Sequence, residues 1–220
     1  MPSPRVQTNF STTSGPQASD TVTLSAGVGK ANVTPGNSLV LCVFSDGPVA
    51  SVSGTDTWKL TGTFDFEADG GNWVSIFYVQ SAVGGATTAT AHYSPNADDI
   101  ITLTEYPPTG GVRIFGKFAE AGVTPTNPSV SLTGTAVNDI VAYLICGAGT
   151  AQTIGNIGTN PAFVVEQLLS DILMADGVSS GGTVTCTSTG TTAFWLGIAV
   201  ALLPAAAGGF GLSVAGIHYM

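Results

Sequence analysis

A chain of 220 residues is long enough for one large domain with a sizeable core, and 44% hydrophobic against 9% charged residues argues against intrinsic disorder, which combines low hydrophobicity with high charge. The 29 Gly and 12 Pro cut the chain into short pieces, which excludes a coiled coil or a long-helix protein. Five basic against 14 acidic residues give a net charge of −9, and the basic ones (Arg5, Lys30, Lys59, Arg113, Lys117) are scattered, so no cluster is there to displace counterions from a nucleic acid or to hold an anionic membrane.

In chain order, residues 1–19 (MPSPRVQTNFSTTSGPQAS) are polar and irregular and read as a flexible arm, loose or draped over a neighbouring chain. They lack the charged start and apolar run of a secretory leader, which points to a protein used without that export route or one whose leader has been removed. Residues 20–204 read as one β domain. Short apolar or alternating runs rich in Val, Ile, Thr and aromatics, bounded by Gly, Pro, Asn and Asp, predict strands at Thr21–Leu24, Ser38–Phe44, Thr57–Phe66, Trp73–Val79, Ala86–Tyr93, Ile100–Tyr106 and Val112–Phe118. Further strands are predicted at Pro128–Leu132, Asp139–Ile145, Phe163–Glu166, Ile172–Ala175, Thr183–Ser188 and Ala193–Leu203, with a helix over Val164–Met174 as the weaker alternative there. Thr34-Pro-Gly-Asn37 has the chemistry of a type II turn, and Asp46-Gly47, Asp69-Gly70 and Asp176-Gly177 are tight-turn pairs. Residues 193–217 carry no charge and are long enough to span a bilayer, but Pro204 and the glycines after it favour a buried strand followed by a tail.

A weak internal repeat runs through the domain. Asn37-Ser-Leu-Val-Leu-Cys42 echoes Asn138-Asp-Ile-Val-Ala-Tyr-Leu-Ile-Cys146, and the stretch around Gly84-Gly85 recurs 97 positions on around Gly181-Gly182, each followed by a Thr-rich strand and then a closing apolar strand. Matching halves of about five strands, each with an apolar face to cover, predict a sandwich built by duplication.

The residues that could carry chemistry are few. Gly177-Val-Ser179-Ser180-Gly181 has the spacing of a nucleophile elbow, but a Thr-alternating strand follows it where a helix is needed, no acidic residue comes after Asp176, and the only downstream histidine is His218. Asp65-Phe-Glu67-Ala-Asp69-Gly70 opens like a calcium loop, yet the position where a bidentate glutamate belongs is Ile76; the simpler reading is a solvated strand face that discourages edge pairing, with an irregular calcium site as the alternative. Asp98-Asp99 reads as a turn cap. His92 and His218 are far apart and no Cys or His pair is closely spaced, so no metal or other cofactor is expected. Cys42, Cys146 and Cys186 cannot all pair within one chain, and two lie in apolar runs; buried free thiols are expected, with one disulfide as the alternative. Trp58, Trp73 and Trp195 fall in strands, where packing is the commoner role and a sugar-stacking platform the rarer one.

Residues 205–220, AAAGGFGLSVAGIHYM, form a Gly/Ala-rich apolar tail. Phe210, Leu212, Val214, Ile217 and Tyr219 on a flexible tether need a cover, and a neighbouring subunit's sheet edge is the favoured one, making these five the predicted subunit interface.

Thr-Pro-Gly-Asn before an apolar strand, Asp56-Thr-Trp58, the aromatic run Ser75-Ile-Phe-Tyr78, Gly-Gly-Ala-Thr-Thr-Ala-Thr and Leu103-Thr-Glu-Tyr106 together resemble the β-sandwich modules of tailed-bacteriophage structural proteins and of some bacterial surface proteins. The likeness covers about Lys30 to Pro204 and departs from the pattern in residues 147–160 and in the tail. It implies an all-β, two-sheet sandwich of jelly-roll type without enzymatic activity: a virion structural protein assembled in the host cytoplasm, a head decoration or cement protein first and a tail component next. Its partners would be copies of itself, a trimer being favoured, and other virion proteins such as the major capsid protein, with no nucleic acid or membrane. The alternative is a carbohydrate-binding or adhesive tail or surface module with a glycan partner.

Overall fold

A computed structural model describes residues 4–13, 15–25, 30–66, 71–121, 129–147, 163–168, 172–187 and 194–205. Among these residues thirteen strands follow in chain order: β1 (Gln7–Thr12), β2 (Gln17–Thr23), β3 (Ser38–Ser45), β4 (Val49–Gly54), β5 (Lys59–Phe66), β6 (Asn72–Val79), β7 (Thr88–Ala97), β8 (Asp99–Tyr106), β9 (Thr109–Ala121), β10 (Ser129–Gly147), β11 (Val164–Leu168), β12 (Ile172–Thr187) and β13 (Phe194–Pro204). Among the described residues there is no helix, and none long and apolar enough to cross a membrane. The stretch expected as a loose arm supplies β1, paired with β8 from Gln7↔Glu105 to Thr12↔Ile100, and the first three residues of β2. The region weighed as a helix forms β11 and the start of β12.

The fold is all-β and antiparallel. Two five-stranded sheets, ordered β1-β8-β3-β6-β5 and β11-β12-β10-β13-β9, stack face to face, and a three-stranded sheet, β2-β7-β4, covers the outer face of the first. The central strands SLVLCVFS and VAYLIC are apolar on both faces because each face is covered. Val40, Cys42, Val74 and Ile76 meet Ala142, Leu144, Met174, Ile198 and Val200 between the two large sheets. Leu39, Leu41, Val43, Phe77, Ile101 and Leu103 pack the other way, against Val22, Ala89, Ala91 and Tyr93 of the small sheet. Each such aliphatic side chain stabilises the fold by about 2 kcal/mol on burial.

The second large sheet covers its own outer face. β10 and β12 pair along almost their whole length, with register shifts between Thr133 and Thr135 and between Val137 and Ile140. At this corner Asn138, Gly134, Gly181 and Gly182 all take positive φ, which bends the ribbon sharply. The far arm, Ser129–Thr133 with Thr183–Thr187, folds back so that Val130, Leu132, Val184 and Cys186 pack on Val141, Tyr143, Ile145 and Ala199. The Tyr143 hydroxyl donates to the Cys186 carbonyl at 3.0 Å and ties the layers together. Two glycines make the approach close enough: a Cβ on Gly116 would lie 2.7 Å from Leu132 Cδ2, and one on Gly197 2.7 Å from Val130 Cγ2.

The two halves therefore correspond strand for strand. β1, β8, β3, β6 and β5 match β9, β13, the second part of β10, the first part of β12, and β11; the small-sheet pair β2·β7 matches the folded-back arm. The halves stack back to back with their order reversed: β9 lies over β5, where Phe115 rests on Gly62, and β12 lies over β8, where Thr102 meets Met174. β3 and the second part of β10 start at the same end of the molecule, because Ser38 contacts Thr109, which pairs with Pro204, two residues from the partner of Ile140. The halves are thus related by a pseudo-twofold axis parallel to the central strands. The 97-residue offset holds at the glycines but not in the strand before them, since Ile76 faces the core between the large sheets whereas Leu173 faces the opposite one. A one-residue slip suffices for that.

Candidate functional site

Two turn signals of the sequence, Thr34–Asn37 and Gly84-Gly85, converge at one end of the sandwich. In Thr34-Pro-Gly-Asn37 the Asn37 N–H donates to the Thr34 carbonyl at 3.1 Å with Gly36 at φ 87°, the predicted type II turn. A Cβ on Gly84 would lie 2.6 Å from Pro35 Cγ, so the Gly-Gly turn can close on this one only without a side chain. Buried Glu105 joins the pieces: its Oε1 accepts from Thr34 N at 2.9 Å and Asn37 Nδ2 at 2.7 Å, and its Oε2 accepts from Gln7 Nε2 on β1 at 2.6 Å. The second half repeats the device with other residues. Buried Asp139 Oδ2 accepts from Ala136 N at 2.8 Å, at the corner before the central strand, and from Arg113 Nε of β9 at 2.7 Å. A third buried acid, Asp176 of β12, pairs with Arg5 before β1 at 3.3 Å and links the two halves. These carboxylates brace the fold, and both arginines of the chain serve them.

At the opposite end a crevice of about 250 Å³ is lined by Thr13, Phe44, Asp46, Asp98, Asp99 and Ile100. The Asp98 N–H donates to Asp46 Oδ1 at 2.7 Å and the Asp46 N–H to the Asp98 carbonyl at 3.1 Å, fastening the loop after β3 to the entry of β8. Asp99 is buried and accepts from the Tyr93 hydroxyl in a short bond and from Thr13 Oγ1 at 2.8 Å. Burial raises its carboxyl pKa to about 6, helped by the charge of neighbouring Asp20; the same burial, with the Asp99 charge, pushes the Tyr93 phenol up. The capping carboxylate here is that of Asp46, with Asp98 contributing its backbone, and Asp99 is a core residue, so neither half of Asp98-Asp99 is the turn cap expected from the sequence. Among the described residues no three His, Cys, Asp or Glu side chains are grouped to hold a metal ion.

A second cleft, about 310 Å³, opens at the seam between the halves and is lined by Lys59, Leu60, Thr61, Tyr78, Gln80, Gly111 and Val112. Below it lies a buried hydroxyl cluster: Ser38 Oγ sits 2.8 Å from Thr109 Oγ1, donates to the Gln80 carbonyl at 2.9 Å and accepts from the Thr109 N–H at 3.1 Å, while Tyr78 Oη bonds Thr109 Oγ1 in a short contact. Leu60 is 56% exposed on its rim. Sequence reasoning passed over this cleft; its one local signal was Gly62, which marks the bulge between Leu60 and Gly62 in β5.

The other expected sites fall apart in space or are absorbed into the fold. Ser179 is buried at the β12 corner, 2.8 Å from Thr135 Oγ1 and accepting from Gly181 N at 2.9 Å, which makes it a bend stabiliser. His92 bonds Ser53 through Nε2 at 2.7 Å. Trp58 is half-buried against the core under the small sheet. The three cysteines are buried thiols outside any disulfide. The backbone of Asp65 lies in β5 opposite Trp73, and that of Trp195 in β13; Glu67, Asp69 and His218 lie outside the described residues. So do Phe210, Leu212, Val214, Ile217 and Tyr219, the predicted interface. Compared with protein-family models, with curated proteins and with solved structures, the chain matches none.

Proposed function

We propose that the protein is a non-enzymatic structural subunit of a virion, a head decoration or cement protein in its most specific form, which works by rigid presentation of sheet edges and a tail to copies of itself and to neighbouring coat proteins. The observation that carries the reading is where the polar chemistry goes. Glu105, Asp139 and Asp176 are spent on bracing corners and joining halves, while β5 and β9, one edge strand of each large sheet, stand side by side and, among the described residues, pair on their inner sides only. The order β1-β8-β3-β6 over β2-β7-β4 supports a jelly-roll reading of the first half, and the back-to-back duplicate doubles its width into a stiff slab. Weak contacts multiplied by symmetry then give stable attachment. A glycan-binding module is the second reading, favoured by the Lys59, Thr61 and Gln80 lining of the seam cleft.

Native mass by light scattering across a concentration series tests the proposal. A closed homo-oligomer is expected; a monomer at every concentration that binds neither itself nor a preformed coat lattice refutes it, and a monomer retained on a glycan array replaces it with the second reading.

A further inference from the structure

The β5 edge and the chain's exit point lie at the same corner. β13 ends at Pro204, which pairs with Thr109 at the start of β9, and the Pro204 carbonyl lies 3.1 Å from where a Gly110 Cβ would stand; the next residue, Gly111, is a wall of the seam cleft. Ala205, which residues 206–220 follow in sequence, therefore lies at the rim of a cleft that bears the exposed Leu60 and is lined by Val112. Their composition fits a strand added to an edge. Ala205 to Gly209 is a small, uncharged spacer, and Phe210-Gly-Leu212-Ser-Val214 alternates apolar and small residues with period two.

Direction decides whose edge receives it. β5 and β9 both run away from the corner at which the chain leaves β13, so a segment folding back on its own copy would pair parallel to them, whereas every paired strand of the described fold is antiparallel. A segment arriving from a second copy enters from the opposite end and pairs antiparallel, the geometry the edge already uses with β6. We infer that Phe210–Val214 of one copy adds as a strand to the β5 edge of a second copy, with its apolar side chains on Leu60 and the seam cleft. This rests on the assembly reading above and names the surface that receives the tail. β-strand addition of this kind draws affinity from main-chain hydrogen bonds and specificity from alternate side chains.

The test compares three full-length proteins by sedimentation over a concentration series and by hydrogen exchange of β5: the native chain, a Phe210→Asp/Leu212→Asp/Val214→Asp variant, and Leu60→Lys, whose exposed site tolerates charge without unfolding. The native chain is expected to self-associate with slow exchange in β5, and each variant to weaken association at least tenfold and release the β5 amides. Association that survives both variants with unchanged β5 exchange overturns the β5 assignment while leaving assembly intact. A native chain that is monomeric with fast β5 exchange overturns the β5 inference, and the assembly reading falls with it only where that monomer also fails to bind a preformed coat lattice; a monomer with protected β5 assigns the edge to the same copy's tail and overturns the second-copy inference.

Discussion

Asp99 sets a pH dependence that can be worked out from its surroundings. Its carboxyl is buried at the head of β8 beneath Tyr93 and Thr13, and its pKa is raised from an ordinary 3.8 to about 6, burial being the larger cause and the nearby Asp20 charge a smaller one. A raised carboxyl pKa means that the fold prefers the neutral form. Below about pH 4 both the folded and unfolded states are protonated and nothing is lost; between 4 and 6 the unfolded chain ionises first and stability falls; above 6 the loss is complete. At 1.36 kcal/mol per pH unit the full loss is at most about 3 kcal/mol. Asp99→Asn keeps the neutral shape without the titration. Urea unfolding followed by tryptophan fluorescence from pH 3.5 to 7.5, at constant ionic strength, should show native stability dropping relative to Asp99→Asn by up to about 3 kcal/mol across pH 4 to 6 and running level on either side. Subtracting the variant removes the opposite contributions of the other carboxylates. Asp20→Asn should narrow the drop by removing the like charge. A difference curve that is flat with pH, or that rises, would refute the buried neutral acid.

Three further outcomes follow from the packing. Gly62→Ala places a Cβ 2.2 Å from the Phe115 ring between the large sheets, so it should cost about 1–3 kcal/mol in urea unfolding, with Phe115→Ala in the same chain relieving the clash; equal cost in both backgrounds would contradict the contact. Glu105→Ala leaves the Thr34 N–H and the Asn37 and Gln7 amides without their acceptor and should destabilise by about 3 kcal/mol or more, with Asp139→Ala acting alike in the second half; a loss below 0.5 kcal/mol on the order of surface changes would dismiss the brace. The three thiols should be silent to an aromatic disulfide reagent in the native protein and all react in denaturant, Cys186 least of all while folded because burial pushes its thiol pKa up; one fast native thiol would contradict the packing.

The pseudo-twofold has a physical consequence. Each half has a sandwich interior of its own, under the small sheet in one and under the folded-back arm in the other, and the core between the large sheets resembles the interface of a dimer fused into one chain. The halves differ in detail: in the second, the counterparts of β2 and β3 and of β6 and β7 run together as bent continuous strands, and Asp139 with Arg113 braces the corner where the first half uses Glu105. Among the described residues β5 and β9 are neighbouring edges, unpaired outward, on one side of the molecule, which the assembly reading uses.

Turn chemistry is local, so the type II turn at Thr34–Asn37, the Gly-Gly corners and the apolar strands could be read from the sequence alone. β1 (QTNFST) and β4 (VASVSG) could not, because edge strands carry little apolar signal and become strands only by pairing with β8 and β7. The breaks predicted within β10 and β12 are real corners, but the ladder runs on through them because positive φ and bulges bend a paired ribbon without ending it. The buried role of Glu105, within an alternating run that reads as half exposed, depends on three donors brought from sequence distances of 98, 71 and 68 residues. Composition and period thus determined an all-β, low-charge sandwich with matching halves. Which faces meet, which acids are buried and which edges stay open were decided only in three dimensions, because a strand apolar on both sides needs two covers and does not encode which sheets supply them.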